Sequence, residues 1–163
     1  MNTDRQTMPD TVEVILDEPG MQSLAAQLAK HLIPPLVIHL HGDLGAGKTT
    51  FTRALIQGTG YTGRVKSPTY GLMEYYPTGE LEFLHLDLYR IGDSGELEFL
   101  GITDLLNERT VLLVEWPDHG KGALPEADLS LHIDHHDERR LLVFKAYSRS
   151  GNQVLHSLHD LIK

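Results

Sequence analysis

Apolar positions along the chain keep two rhythms, one near two residues and one near three and a half, and these separate strands from helices. Val12–Leu16 is a short β-prone run. From about Pro19 to Leu32, Leu24, Leu28 and Leu32 recur on one helical face, with Pro19 tolerated in a first turn and Pro34-Pro35 ending the element. Leu36–His41 reads as a strand. Lys48 to about Gln57 reads as a helix stopped by Gly58 and Gly60. Leu72–Tyr76 and Leu81–Leu88 predict an antiparallel pair around a Pro77-Thr78-Gly79 turn. Glu96–Leu106 has a helical pattern, and Thr110–Glu115 is a continuous apolar run of the kind found in buried strands. Leu129–Ile133 and Leu141–Ala146 alternate as strands around the charged turn His135–Arg140, and Gln153–Ile162 predicts a closing helix. Helices interleaved with both isolated strands and hairpins predict an α/β fold whose sheet mixes parallel and antiparallel strands.

Between the strand Leu36–His41 and the helix from Lys48 lies Gly42-Asp43-Leu44-Gly45-Ala46-Gly47-Lys48-Thr49, which fits G-x-x-x-x-G-K-[ST] at every fixed position. Glycines let the backbone curl so that successive N–H groups face inward as an anion nest. The following helix adds its positive dipole end. Lys48 can reach phosphate oxygens as a point charge, and the Thr49 hydroxyl can ligate magnesium. A strand before and a helix after are the context this motif requires, so a chance glycine-rich turn is the weaker reading. The expected ligand is ATP with Mg2+, held by Asp43, Leu44, Gly45, Ala46, Gly47, Lys48, Thr49 and Thr50. The predicted architecture is a P-loop three-layer α/β sandwich.

Phosphoryl transfer also needs a metal-holding acid and a group that orients the nucleophile. In open α/β sheets ligands sit beyond the carboxyl ends of strands, so acids at strand ends are the candidates. Glu115 ends the run Val111-Leu112-Leu113-Val114. Asp87 lies in His85-Leu86-Asp87-Leu88-Tyr89-Arg90, where alternation sets His85, Asp87 and Tyr89 on one face opposite Leu84, Leu86 and Leu88. With Lys48 these two acids are the catalytic candidates. A solvated strand end for Glu115 and a polar outer face for Asp87 are the blander readings. Ser67-Pro68-Thr69 occupies the loop where P-loop switch proteins often carry a γ-phosphate-sensing hydroxyl, although the same tripeptide is also a plain turn.

Composition narrows the classes. A length of 163 residues fits one domain, with the polar residues 1–10 expected as a tail that lacks the apolar stretch of a signal peptide. At 40% hydrophobic and 23% charged the chain has an ordinary globular balance. It contains no cysteine, which removes disulfides, thiolate metal sites and cysteine nucleophiles. A net charge of −9 does not favour direct nucleic-acid binding, so any contact with RNA is expected to be indirect. No apolar run approaches the roughly 20 residues that span a bilayer, and the cytoplasm is the expected compartment.

Other features carry less. His132-x-x-His135-His136 has ligand-like spacing, but Asp134, Asp137 and Glu138 around it suit a solvated turn better than a metal site. His39 and His41 read as pointing away from the apolar face of their strand, Trp116 as a partly buried aromatic, and Arg139-Arg140 as a solvated pair rather than an arginine finger.

Five ordered segments together resemble the TsaE (YjeE) family, bacterial ATPases of tRNA threonylcarbamoyladenosine modification. They are the phosphate loop; Lys66-Ser67-Pro68-Thr69-Tyr70 with Leu72-Met73-Glu74-Tyr75-Tyr76; His85-Leu86-Asp87-Leu88-Tyr89-Arg90; Leu97-Glu98-Phe99-Leu100-Gly101; and Val114-Glu115-Trp116-Pro117. The likeness spans about Leu24 to Ile133, and the chain after Asp134 carries no family segment. The resemblance implies Thr49 and Glu115 as magnesium ligands, Asp87 as a second catalytic acid, Thr69 as the switch residue and Trp116 as the site tryptophan. It further implies a mixed sheet and work alongside the TsaD and TsaB proteins, which transfer threonylcarbamoyl to tRNA while this chain hydrolyses ATP.

Three rivals remain in view. A small-metabolite kinase shares this loop, but the stretch Asp118–Glu126 that would serve as its lid has one cation, Lys121, and no arginine. A GTPase usually reads guanine with Asn-Lys-x-Asp, which does not occur here. A nucleotide-dependent binding module with negligible turnover is the third, because P-loop hydrolysis often needs groups from a partner.

Overall fold

A strand with apolar residues on both sides has to be covered on both faces, and Thr110–Glu115 (β5) is one: all six of its residues are buried. The structure is a computed structural model that describes residues 11–66, 68, 72–92 and 95–163. The expected tail over residues 1–10 and the expected switch residues Ser67 and Thr69 lie outside the described residues. Around β5 stand Leu36–His41 (β2), Glu82–Asp87 (β4) and Leu129–His136 (β6); β2 pairs in parallel with β5 and β6, and β4 in parallel with β5. Thr11–Leu16 (β1), Met73–Pro77 (β3) and Arg139–Ala146 (β7) extend the sheet antiparallel, giving the order β1-β7-β6-β2-β5-β4-β3. The sheet is mixed, as the pattern of elements predicts.

Helices cover both faces. Glu18–Leu28 (α1) opens on Asp17, whose carboxylate accepts the Gly20 N–H at 2.8 Å, and buries Met21, Leu24, Ala25 and Leu28. Lys48–Gly58 (α2) and Arg149–Leu161 (α5) lie on the same side, where Phe51, Leu55, Val154 and Leu158 pack on Leu36, Ile38, Leu40, Val111 and Leu113. Gly95–Leu100 (α3) and Ile102–Leu105 (α4) cover the other face, with Leu97 and Ile102 against Leu84, Leu86, Leu112 and Val114. Burying a leucine or phenylalanine side chain stabilises by about 1.5–3 kcal/mol, so both covered faces contribute to holding the sheet.

Three boundaries differ from the sequence reading. The helix expected over Glu96–Leu106 is two short helices, because Gly101 sits at φ 61° and reverses the backbone between them. The charged turn His135–Arg140 is mostly strand. β6 and β7 run to His136 and from Arg139, leaving only Asp137 and Glu138, with Asp137 at φ 56°. The closing helix begins at Arg149 rather than Gln153, since the Ser148 hydroxyl accepts the Gly151 N–H at 3.0 Å.

Candidate functional site

The parallel core brings three strand ends side by side. In register, Leu40 of β2 stands against Glu115 of β5, and Glu115 against Asp87 of β4. β2 leads straight into residues 42–47, and α2 begins at Lys48 with Gly47 before it at φ 119°. That torsion favours glycine, and a Cβ on Gly47 would also lie 2.8 Å from the Met21 Cε of α1, whose methyl would have to shift. The loop, the α2 N-terminus and both acids therefore converge at the carboxyl ends of β2, β5 and β4, where open α/β sheets place their ligands.

A cleft of about 640 Å³ opens there. Leu44, Gly45, Gly47, Lys48, Thr49 and Thr50 line it from the loop and α2, and Asp87, Glu115 and Trp116 from the strand ends. Ala46 is buried in the core behind the loop, and Asp43 is exposed beside it. Pro68, Leu72, Tyr89 and Arg90 complete the rim. Thr69 lies outside the described residues.

Lys48 is 5% exposed, and its Nζ donates to the carbonyls of Gly42 and Asp43, the latter at 3.1 Å. It also stands 4.1 Å over the Trp116 ring, a cation–π contact. Burial lowers its pKa, against the raising pull of Glu115, Asp87 and Asp43. Trp116 follows Glu115 in the left-handed region at φ 58°, unusual for a bulky residue. Its ring sits between Tyr89, at 5.1 Å, and His119, at 5.6 Å, and His119 Nδ1 donates to the Leu88 carbonyl at 2.8 Å. The partly buried aromatic of the sequence reading is thus part of the cleft wall.

Glu115 is 2% exposed. One oxygen accepts from His85 Nε2 at 2.7 Å, and both oxygens lie 3.4 Å from the Thr49 hydroxyl. A carboxylate partner selects the Nε2–H tautomer of His85, leaving its buried Nδ1 with no hydrogen-bond partner among the described residues. His85 is the residue that sequence reasoning missed. Alternation sets it beside Asp87 as a polar outer face, but this face of β4 is buried: Phe83 belongs to the cluster that holds Phe51 and Leu55 of α2, and His85 is fully buried. Asp87 is half-buried. Burial and the nearby Glu115 charge raise its pKa, against the Tyr89 N–H that bonds it at 3.1 Å and the pull of His85 and Lys48.

Thr49 Oγ1 and the Glu115 carboxylate form a pair of hard oxygen donors at one wall of the cleft, with Asp87 next in register. That donor set fits a magnesium ion, which takes one or two protein ligands and completes its shell with phosphate oxygens and water. Glu115 is also not the solvated strand end of the blander reading, since it is buried and bonded.

Arg139 is exposed, but Arg140 is half-buried and its Nε donates to the Ala46 carbonyl at 2.9 Å, so the pair is not simply solvated. His132 stacks on His41 with centroids 4.2 Å apart and planes within 3°. Both rings lie on the sheet face away from α2. Burial, with His132 beside it, lowers the His41 pKa to about 4. Among the described residues no helix is long and apolar enough to cross a membrane.

Comparison with known proteins sets this geometry in a family. The family model described as threonylcarbamoyl adenosine biosynthesis protein TsaE matches residues 15–142. The chain is 40% identical to the tRNA threonylcarbamoyladenosine biosynthesis protein TsaE of Haemophilus influenzae, over 91% of this chain and 97% of that protein. It is 38% identical to the Bacillus subtilis protein of the same name, over 88% and 89%. The crystal structure of Bacillus subtilis YdiB superposes with a TM-score of 0.81 at 28% identity, covering 96% of this chain and 99% of that one.

Proposed function

The chain belongs to the TsaE family of threonylcarbamoyl adenosine biosynthesis proteins, and from that premise we propose that it is a magnesium-dependent ATPase of tRNA threonylcarbamoyladenosine biosynthesis. It acts in the cytoplasm beside TsaD and TsaB, and meets tRNA only through them. The observation that carries this reading is the convergence of a buried Lys48, Thr49, Glu115 and Asp87 on one cleft at the ends of three adjacent strands.

The roles follow from placement. The loop from Gly42 to Gly47, with the N-terminus of α2, receives the phosphates on its N–H groups. Lys48 exchanges its carbonyl contacts for β- and γ-phosphate oxygens and offsets their charge. Thr49 and Glu115 would hold the magnesium ion, which supplies charge neutralisation on the phosphates. His85 keeps Glu115 oriented, as outer hydrogen-bond partners of metal ligands do. Asp87 accepts a hydrogen bond from the attacking water, whose oxygen bonds to the γ-phosphorus in line with the departing ADP oxygen. The water's proton passes to Asp87 or to the phosphate, and ADP and phosphate leave. Thr69 is assigned the γ-phosphate switch and Trp116 the nucleotide wall.

The test is ATP turnover by the purified protein, alone and with TsaD and TsaB. Turnover that rises sharply with the partners supports this reading. Turnover indifferent to them, with phosphate passed to a small metabolite instead, points to a kinase.

A further inference from the structure

The phosphate loop is braced from behind by a residue far along the chain. Arg140 of β7 reaches across the β6–β7 hairpin, and its Nε donates to the Ala46 carbonyl at 2.9 Å. Its Nη1 donates to the Arg139 carbonyl at 3.1 Å, so the guanidinium is held at two points. Its backbone is fixed as well, paired with Leu16 of β1 on one side and His135 of β6 on the other.

We propose that Arg140 is a positioning residue for the phosphate loop, setting the orientation of the Ala46–Gly47 peptide. This rests on the phosphate-loop reading above. A trans peptide is planar, with its C=O and N–H pointing in opposite directions. Anchoring the Ala46 carbonyl on the hairpin side therefore turns the Gly47 N–H away from the hairpin, towards the cleft that Gly47, Lys48 and Thr49 line. One flanking torsion is soft: Gly47, at φ 119° and with no Cβ, leaves this peptide freer to flip than one followed by a bulky residue. A flip would carry a donor out of the anion nest and turn a carbonyl oxygen into it, placing negative charge where phosphate must sit. Arg140 opposes that flip with a charge-assisted bond, roughly twice as strong as a neutral one. Because the guanidinium is planar, the brace has a fixed direction. It also polarises the peptide, making the Gly47 N–H a better donor.

The test compares ATP binding by calorimetry in the unaltered chain, R140A and R140K, alongside melting temperature. R140A is expected to weaken ATP affinity about tenfold, the order expected for one charge-assisted hydrogen bond. R140K, which keeps the charge but not the fork, should fall between. Millimolar guanidinium should restore part of the R140A loss, which a purely structural role would not allow. Folded R140A with ATP affinity within about twofold of the unaltered chain overturns the proposal, whatever its melting temperature. No ATP binding by the unaltered chain overturns the phosphate-loop reading itself, and the proposal with it.

Discussion

The two ends of β4 and β5 each hold buried carboxylates, and they are treated in opposite ways. At the end remote from the cleft, Glu82 is 8% exposed and surrounded by donors. Tyr75 Oη donates to it at 2.7 Å, Asn107 Nδ2 at 2.8 Å and Thr110 Oγ1 at 3.5 Å, with Arg109 Nη1 at 4.0 Å. Those bonds, Tyr75 first and Asn107 next, hold its pKa below the ordinary carboxylate range. At the cleft end Asp87 takes one backbone N–H, and burial with the Glu115 charge pushes its pKa up. The difference separates a charge that the fold itself satisfies from one that it leaves for something else to satisfy. A carboxylate kept short of donors beside a second carboxylate and a lysine is suited to meet a metal-bound nucleotide and a water.

Removing the charge that faces both cleft acids should have the largest effect. Lys48→Ala is expected to abolish ATP binding or turnover, because the phosphates lose the one cation of the loop. Calorimetry and a phosphate-release assay read this directly, and near-normal values for both would show that the cleft does not take phosphates through Lys48.

Next in size is the loss of the under-satisfied acid. Asp87→Asn keeps the shape and the Tyr89 contact but cannot accept a proton, so turnover should fall about 100-fold or more while ATP affinity stays within a few-fold. Unchanged turnover would make Asp87 a bystander and return the water-orienting role to Glu115.

How much of this contrast could be read from the sequence depends on how local its causes are. The loop from Gly42 to Thr49 is legible because its chemistry imposes fixed spacing, and Glu115 and Asp87 are legible because acids ending apolar strands are rare in a buried sheet. His85 is not, since alternation assigns it to an outer face and only the tertiary packing shows that β4 is buried on both faces. Arg140 is hidden for the same reason: its partner Ala46 is 94 residues away and nothing local marks the contact. Gly101 was a visible signal, a glycine inside a helical pattern, but its left-handed torsion belongs to the fold. The short Asp137-Glu138 turn was concealed by the histidines and arginines around it, which read as loop although they sit in paired strands.

A smaller effect probes the satisfied end. Glu82→Gln leaves Tyr75 and Asn107 bonding a neutral group, and should destabilise the fold by about 1 kcal/mol at neutral pH. A carboxyl whose folded pKa is depressed stabilises above its unfolded pKa, and that contribution is lost as pH falls through the folded value. Urea unfolding of the two proteins should therefore converge in acid. A constant gap across that range would mean that the charge is not what the donors serve.

The smallest effect has the opposite sign and is the sharpest test of the contrast. Asp87 has its folded pKa raised, so its ionised form costs stability above that value and nothing below the unfolded one. Asp87→Asn removes the cost. Measured with chelator and without nucleotide, the variant should be slightly more stable than the unaltered chain at neutral pH, by less than about 1 kcal/mol. The gain should shrink as pH falls through the folded pKa of Asp87. Added magnesium and ATP should reverse the order, because the unaltered chain regains a use for the charge. A variant less stable at neutral pH would mean that Asp87 is satisfied by the fold as Glu82 is, and the two ends of the strands would then not differ in kind.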